Sequence, residues 1–245
     1  MSYYELDKEY VLNTYKRIPL DVAKGDGGYL FDTEGNKYLD MFSGIAVLHL
    51  GHNDQGLKDA MINQINKYAH LSNYFASEPV VELAKKLVEN SFAKKVFFAN
   101  SGTEANEGAI NINKTEIIST LNGFHGRTTG ALALTGQPGK QEPFSSILPA
   151  VKYINYNSIE NLKAAVNENT CAIFLEAIQG EGGIIELDIE FVKELHALRD
   201  KYNFLIIMDE IQAGLGRTAN ELFAYEAYGV NPDLVTLAKG IGGGL

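Results

Sequence analysis

One cysteine, Cys171, stands alone in the chain, which excludes an intrachain disulfide and points to a reducing compartment. Its neighbours Ala172, Ile173, Phe174 and Leu175 are apolar, so it reads as a buried strand thiol. No nearby cation in the sequence would activate it as a nucleophile. Runs of Lys or Arg are also absent, and the formal net charge is −10, which argues against nucleic acid and anionic membrane as partners. No apolar stretch approaches the ~18–20 residues that a membrane span needs. The opening "MSYYELDKEYVLNTY" lacks the apolar core of a secretory signal, and a cytoplasmic protein is expected. Repeats and low-complexity linkers are missing too. What remains is an ordinary globular balance, 45% hydrophobic and 21% charged over 245 residues. That length suits one large domain, or one domain and part of another. It should bury roughly 70–75% of its unfolded surface without staples.

Along the chain the rhythm changes once. "GYLFDTEGNKYLDMFSG" predicts two short strands around a turn at Glu34-Gly35-Asn36. From about Gly56, helical patterns alternate with apolar runs. "GLKDAMINQINKYA", "PVVELAKKLVEN", "SIENLKAAVNE" and "IEFVKELHALRDKY" carry apolar residues at helical spacing. In the last of these, Leu195 and Leu198 should face the core and His196 the solvent. "KVFFAN", "EIISTLN", "VKYINY", "CAIFLE", "FLIIMDE" and "DLVTLA" are strand candidates. Alternation of this kind predicts an α/β fold, a mostly parallel sheet covered by helices on both faces. Ligands in such sheets collect beyond the carboxyl ends of the strands, so chemistry should follow the apolar runs.

Three stretches meet that test. In "FFANSGTEANEGAI" a helix should open near Thr103, presenting Ser101, Gly102 and Thr103 at its N-terminus, where free N–H groups and the helix dipole favour an anion. The alternative is a capping box of Ser101 with Glu104. In "FLIIMDEIQAG" the strand delivers Asp209 to its end, a costly place for a carboxylate unless a cation meets it. A structural Asp capping the next loop is the alternative. In "LVTLAKGIGGG" Lys239 follows a strand; desolvation would lower its pKa and make it a nucleophilic amine. The alternative is a surface lysine. A phosphate cup, an acid for a protonated ring nitrogen and a lysine for an aldehyde together describe one ligand, pyridoxal 5′-phosphate.

The chain resembles the class III (ω-) aminotransferases, most closely the acetylornithine branch. The matching stretches are "GIAVLHLGH", "FFANSGTEANE", "GFHGRTTGALALTGQP", "LEAIQGEGG", "DEIQAGLGRT" and "LAKGIGGG". The resemblance implies the fold-type I architecture. Residues 1–55 would belong to a smaller α+β domain, and residues 56–245 to the large cofactor-binding domain. It implies that Ser101, Gly102 and Thr103 hold the phosphate. Phe124 would stack on one face of the ring and Ile211 on the other, with His125 beside them. Asp209 would pair with the ring N–H, Gln212 would reach the phenolic oxygen, and Lys239 would form the Schiff base and act as the general base. Arg127 would bind the substrate α-carboxylate, Glu181 would gate which carboxylate is accepted, and Glu176 would stand behind the substrate site. The implied reaction moves the terminal amine of N-acetylornithine to 2-oxoglutarate, in arginine biosynthesis, in a homodimer with the site between subunits. Other ω-amine donors (ornithine, succinylornithine, succinyldiaminopimelate, 4-aminobutyrate) are alternatives, as is a non-catalytic fragment or assembly subunit keeping the fold.

Two rival motifs and two departures complete the reading. "GLGRTA" fits the dinucleotide pattern of a dehydrogenase, but Asp209 to Ala213 intervene between it and the strand. His49 and His52 are spaced like metal ligands without a third, so no metal is expected and both should be structural. "EGAININKTEIIST" is short for the helix that follows the phosphate cup in the family, which suggests residues missing around 111–115. The chain also stops six residues after Lys239, at Leu245, where family members continue, so truncation is expected, with little activity in this form.

Overall fold

A computed structural model of the protein describes residues 2–110, 116–218 and 220–244. The gap expected around 111–115 lies outside the described residues. The chain divides into two compact units, Met1–Ser72 with Gly243–Leu245, and Asn73–Gly242.

The first unit opens with helix α1 (Tyr3–Tyr10), capped by the Ser2 side chain, which accepts from the Glu5 N–H at 3.2 Å. A three-stranded antiparallel meander follows: β1 (Val22–Asp26), β2 (Tyr29–Asp32) and β3 (Lys37–Leu39). The hairpin at Glu34-Gly35-Asn36 forms as expected, with Gly35 at φ 89° and the Asp32 carboxylate accepting from the Glu34 and Asn36 amides. An irregular turn, α2 (Ser43–Ala46), carries left-handed Gly44 and Ile45. Helix α3 (Gln55–Lys67) is capped by Asp54. His52 Nε2 lies 2.7 Å from Asp40 Oδ2, and neither ring nitrogen of half-buried His49 has a partner. Among the described residues no cluster of His, Cys, Asp or Glu could hold a metal ion, and no helix is long and apolar enough to cross a membrane.

The second unit is built on a five-stranded sheet. Its helices and strands run, in chain order, α4 (Glu78–Glu89), α5 (Gly102–Ile110), β4 (Glu116–Thr120), α6 (Thr129–Leu134), α7 (Pro138–Gln141), β5 (Val151–Ile154), α8 (Ile159–Ala165), β6 (Thr170–Leu175), the short hairpin strands β7 (Ile178–Gln179) and β8 (Ile185–Glu186), α9 (Ile189–Tyr202), β9 (Leu205–Asp209), α10 (Ala224–Ala227) and β10 (Leu234–Thr236). Sheet order is β10-β9-β6-β4-β5, and every pair is parallel. Successive side chains of a strand point to opposite faces, and here both faces are covered. Ile173, Leu175, Ile206 and Met208 pack with Phe191 and Leu195 of α9, whereas Ala172, Phe174 and Ile207 pack with Leu134 and Ala109. Cys171 is buried in its strand, as its neighbours predict. This is the parallel α/β architecture that the alternation of helix and strand predicts.

Two expectations need correction. Residues 95–100, "KVFFAN", form no strand, and Phe97 is 79% exposed. A strand requires a neighbour for its backbone groups, and this segment is not bonded to β10, the outermost strand on that side. His196 is half-buried rather than solvent-facing: its Nε2 accepts from the Asn231 N–H at 3.1 Å, and burial lowers its pKa. Leu195 and Leu198 are buried as expected.

Candidate active site

Four loops leave the carboxyl ends of the parallel strands side by side. They start at Leu121 after β4, Glu176 after β6, Glu210 after β9 and Leu237 after β10. Register sets their heights. Leu175 pairs with Met208, which puts Glu176 level with Asp209, and Thr236 pairs with Asp209, which puts Lys239 three residues beyond.

Asp209 is 4% exposed and its charge is met from three directions. Its Oδ2 lies 2.7 Å from His125 Nδ1 and accepts from Asn106 Nδ2 at 2.9 Å; its Oδ1 accepts from the Ile211 N–H at 3.0 Å. The last of these is the loop cap that sequence left open for Asp209. Asn106 also donates to the His125 carbonyl at 2.7 Å and so ties α5 to the loop after β4. Burial alone would lower the pKa of His125; the hydrogen bond and charge of Asp209, with the charge of Glu176, outweigh it and raise it. His125 Nε2 and Asn106 Oδ1 are buried without partners.

Helix α5 meets this cluster with its N-terminus. A Cβ at Gly102 would lie 2.7 Å from Ile211 Cδ1 and 3.0 Å from Ala238 Cβ, so the missing side chain lets α5 approach the loops of Asp209 and Lys239. Thr103 stands against Gly126, whose added Cβ would be 2.6 Å from Thr103 Oγ1. The capping box is also present in part: Ser101 Oγ accepts from the Glu104 N–H at 3.2 Å, and Glu104 Oε2 accepts from the Asn100 N–H at 2.7 Å. Capping does not exclude an anion site here, because Ser101 holds only one of the helix's leading amides by this bond.

Lys239 is half-buried and its backbone is left-handed, φ 47°. Burial lowers its pKa against the upward pull of Asp209, Glu176 and Glu181. Glu176, buried, is pushed up to about 7 by desolvation, and it accepts the Phe124 N–H at 3.3 Å. Gln212 turns toward Gly180, where an added Cβ would be 2.2 Å from its Oε1. Phe124 is half-buried, with the Arg127 guanidinium carbon 5.8 Å and Lys140 Nζ 4.7 Å from its ring centroid. Glu181 is exposed and pairs with Lys140. "GLGRTA" opens no helix: residues 211–218 are turns and bends, so the context of a dinucleotide site is absent there.

The geometry therefore gathers the amine, the acid and the helix N-terminus into one unit. The aminotransferase class-III family model matches residues 10–245. The chain belongs to the class-III aminotransferase family. Among curated relatives it is 48% identical to the acetylornithine aminotransferase of Caldanaerobacter subterraneus subsp. tengcongensis, over 97% of this chain and 63% of the relative. It is 42% identical to the succinylornithine transaminase of Photorhabdus laumondii, over 97% of this chain and 61% of that one. The solved ornithine aminotransferase of Toxoplasma gondii superposes on this class-III aminotransferase with a TM-score of 0.93 at 28% identity, over 99% of this chain and 60% of that one. The chain thus spans about three fifths of the length of these relatives.

Asn106, Gln137 and Lys140 escaped sequence reasoning. A buried Asn inside a helix is a poor helix former, and that is the signal "GTEANE" offered. "GQPGKQ" offered none, since Lys140 meets Glu181 across 41 residues.

Proposed function

We propose that the chain carries the cofactor-binding half of a pyridoxal-phosphate aminotransferase that moves the terminal amine of N-acetylornithine to 2-oxoglutarate. The observation that carries the reading is Lys239, half-buried with a lowered pKa, in the field of the buried Asp209 carboxylate, with α5 opening against both loops. The residues fit the cofactor on the structure's own terms. Gly102 and Gly126 leave the cradle without side chains, and Asp209 has an acid oxygen, Oδ1, with a single amide partner among the bonds given above.

Bound pyridoxal phosphate supplies a carbonyl for the amino group and a ring that spreads the electron pair left at the amine-bearing carbon. Ser101, Gly102 and Thr103 would hold its phosphate by hydroxyls and helix-end amides. Phe124 and Ile211 would flank its ring, beside His125, and Gln212 would donate to its phenolic oxygen. Asp209 would keep the ring nitrogen protonated, itself oriented by His125 and Asn106. Lys239 Nζ, made less basic by burial, would anchor the carbonyl, then take and return the proton of the amine-bearing carbon. Arg127 would grip a substrate carboxylate as a planar two-pronged donor. Glu181 would select among carboxylates, and Glu176 would brace the Phe124 loop. In this reading residues 1–55 open the smaller domain, residues 56–245 form the cofactor domain, and the complete protein works in the cytoplasm as a homodimer within arginine biosynthesis.

A sibling donor is the second reading, favoured by the 42% identity to a succinylornithine transaminase. A panel of amine donors with 2-oxoglutarate, followed by glutamate formation, decides. N-acetylornithine should lead in kcat/KM; a lead for succinylornithine, ornithine, succinyldiaminopimelate or 4-aminobutyrate would reassign the substrate, and no glutamate from any donor would favour a non-catalytic role.

A further inference from the structure

The rim of the site carries a contact that the reaction above leaves unassigned. Lys140 sits on α7, the short turn Pro138–Gln141. Gln141 braces that turn, its Nε2 donating to the Thr135 carbonyl and to the Tyr153 hydroxyl, each at 2.7 Å. From this fixed base the Lys140 ammonium reaches Glu181 Oε2 at 2.5 Å. The same oxygen accepts from Gln137 Nε2 at 2.9 Å, and Gln137 Nε2 also donates to the Gly123 carbonyl at 3.1 Å. Lys140 Nζ and the Arg127 guanidinium both lie over the Phe124 ring. Lys140 and Gln137 hold Glu181 ionised against the opposing effect of partial burial.

The Lys140 and Glu181 side chains are 33% and 42% exposed. Water screens such a pair, so it adds little to stability; its effect is on which charge a substrate meets. Gln137 is a second tether. Removing the ammonium therefore changes the charge at the rim without releasing the acid.

We propose that Lys140 is a specificity-determining residue: by pairing with Glu181 beside Phe124, it allows a second substrate carboxylate to approach. With Lys140 in place, its charge offsets that of Glu181. Without it the rim is one positive charge poorer, and a dicarboxylate must bring its second charge up to an acid that has lost its cation, where like charges repel. A monocarboxylate brings no such charge. This inference rests on the aminotransferase reading.

The test titrates glutarate and butyrate, unreactive di- and monocarboxylates, into the cofactor-loaded protein and its Lys140→Met and Lys140→Arg variants. In Lys140→Met the glutarate dissociation constant should rise about five-fold, the upper range for a water-exposed pair, with butyrate binding unchanged within about two-fold. Lys140→Arg should keep the parent preference. Adding Glu181→Gln to Lys140→Met should restore glutarate binding, because no acid is then left to repel the second charge, a recovery that a merely structural role of Lys140 would not give. Equal losses for both ligands, or no loss for either, would overturn the inference. Borohydride labelling separates the two levels. Cofactor fixed on Lys239 in parent and variant, with an unchanged glutarate preference, removes only the role of Lys140. No label in the parent removes the aminotransferase reading and this inference with it.

Discussion

Asp209 and Lys239 were legible as single residues because each follows an apolar run, and a charged group at the end of a buried strand demands an explanation. Their supporting partners were not. Asn106 reaches Asp209 across 103 residues and His125 across 84, and no local pattern encodes such a meeting. Titration at this scale gives a test. Burial pushes Glu176 and Glu210 each to about 7 from an ordinary 4.5, although Glu210 accepts the Ala224 and Tyr225 amides. Between those values the folded protein keeps protons that the unfolded chain releases, so these groups make stability fall as pH rises. His125, with its pKa raised, acts in the same direction at higher pH. The Glu176 and Glu210 shifts each correspond to at most about 3 kcal/mol. Glu176→Gln and Glu210→Gln should each flatten the drop in urea midpoint between pH 5 and pH 8; variants with the parent slope would contradict the assignment.

The elements read from periodicity are those whose faces the core covers. Helix α9 matches "IEFVKELHALRDKY" residue for residue, and β4, β5, β6, β9 and β10 overlap the apolar runs with ends that differ by two residues at most. Strand β1, "VAKGD", went unread because it is mostly exposed and holds Gly25, whose added Cβ would be 2.5 Å from the His52 ring. Residues 95–100 were read as a strand on composition, which cannot say whether a partner strand adjoins. The loops that carry the site depend on one close backbone approach. Gly136 bridges Leu121 in parallel, and its carbonyl accepts the Asn122 N–H at 2.8 Å. An added Cβ there would lie 2.2 Å from the Thr120 carbonyl oxygen, and backbone cannot swing aside. Gly136→Ala should cost about 1–3 kcal/mol or more and displace the Phe124–His125 loop. Gly139→Ala, which meets nothing within 4 Å, should be nearly neutral. Equal denaturation midpoints for the two variants would show that the approach does not matter.

At the scale of the whole molecule, the alternation of helix and strand gave the parallel sheet, and the strand-end rule singled out Asp209 and Lys239, each at or just beyond the end of a strand of that sheet; it does not account for Ser101–Thr103, which no strand directly precedes. The division into Met1–Ser72 with Gly243–Leu245 and Asn73–Gly242 could not be read that way, because contacts rather than composition define it. All the residues assigned to the cofactor lie in the second unit, so the central claim is that this unit surrounds one pyridoxal phosphate with Lys239, Asp209 and the Ser101–Thr103 cup. Incubation with pyridoxal phosphate, borohydride reduction and peptide mapping test it directly. The account predicts a single pyridoxyl group on Lys239, lost in Lys239→Ala; a label on another lysine, or none, would contradict it.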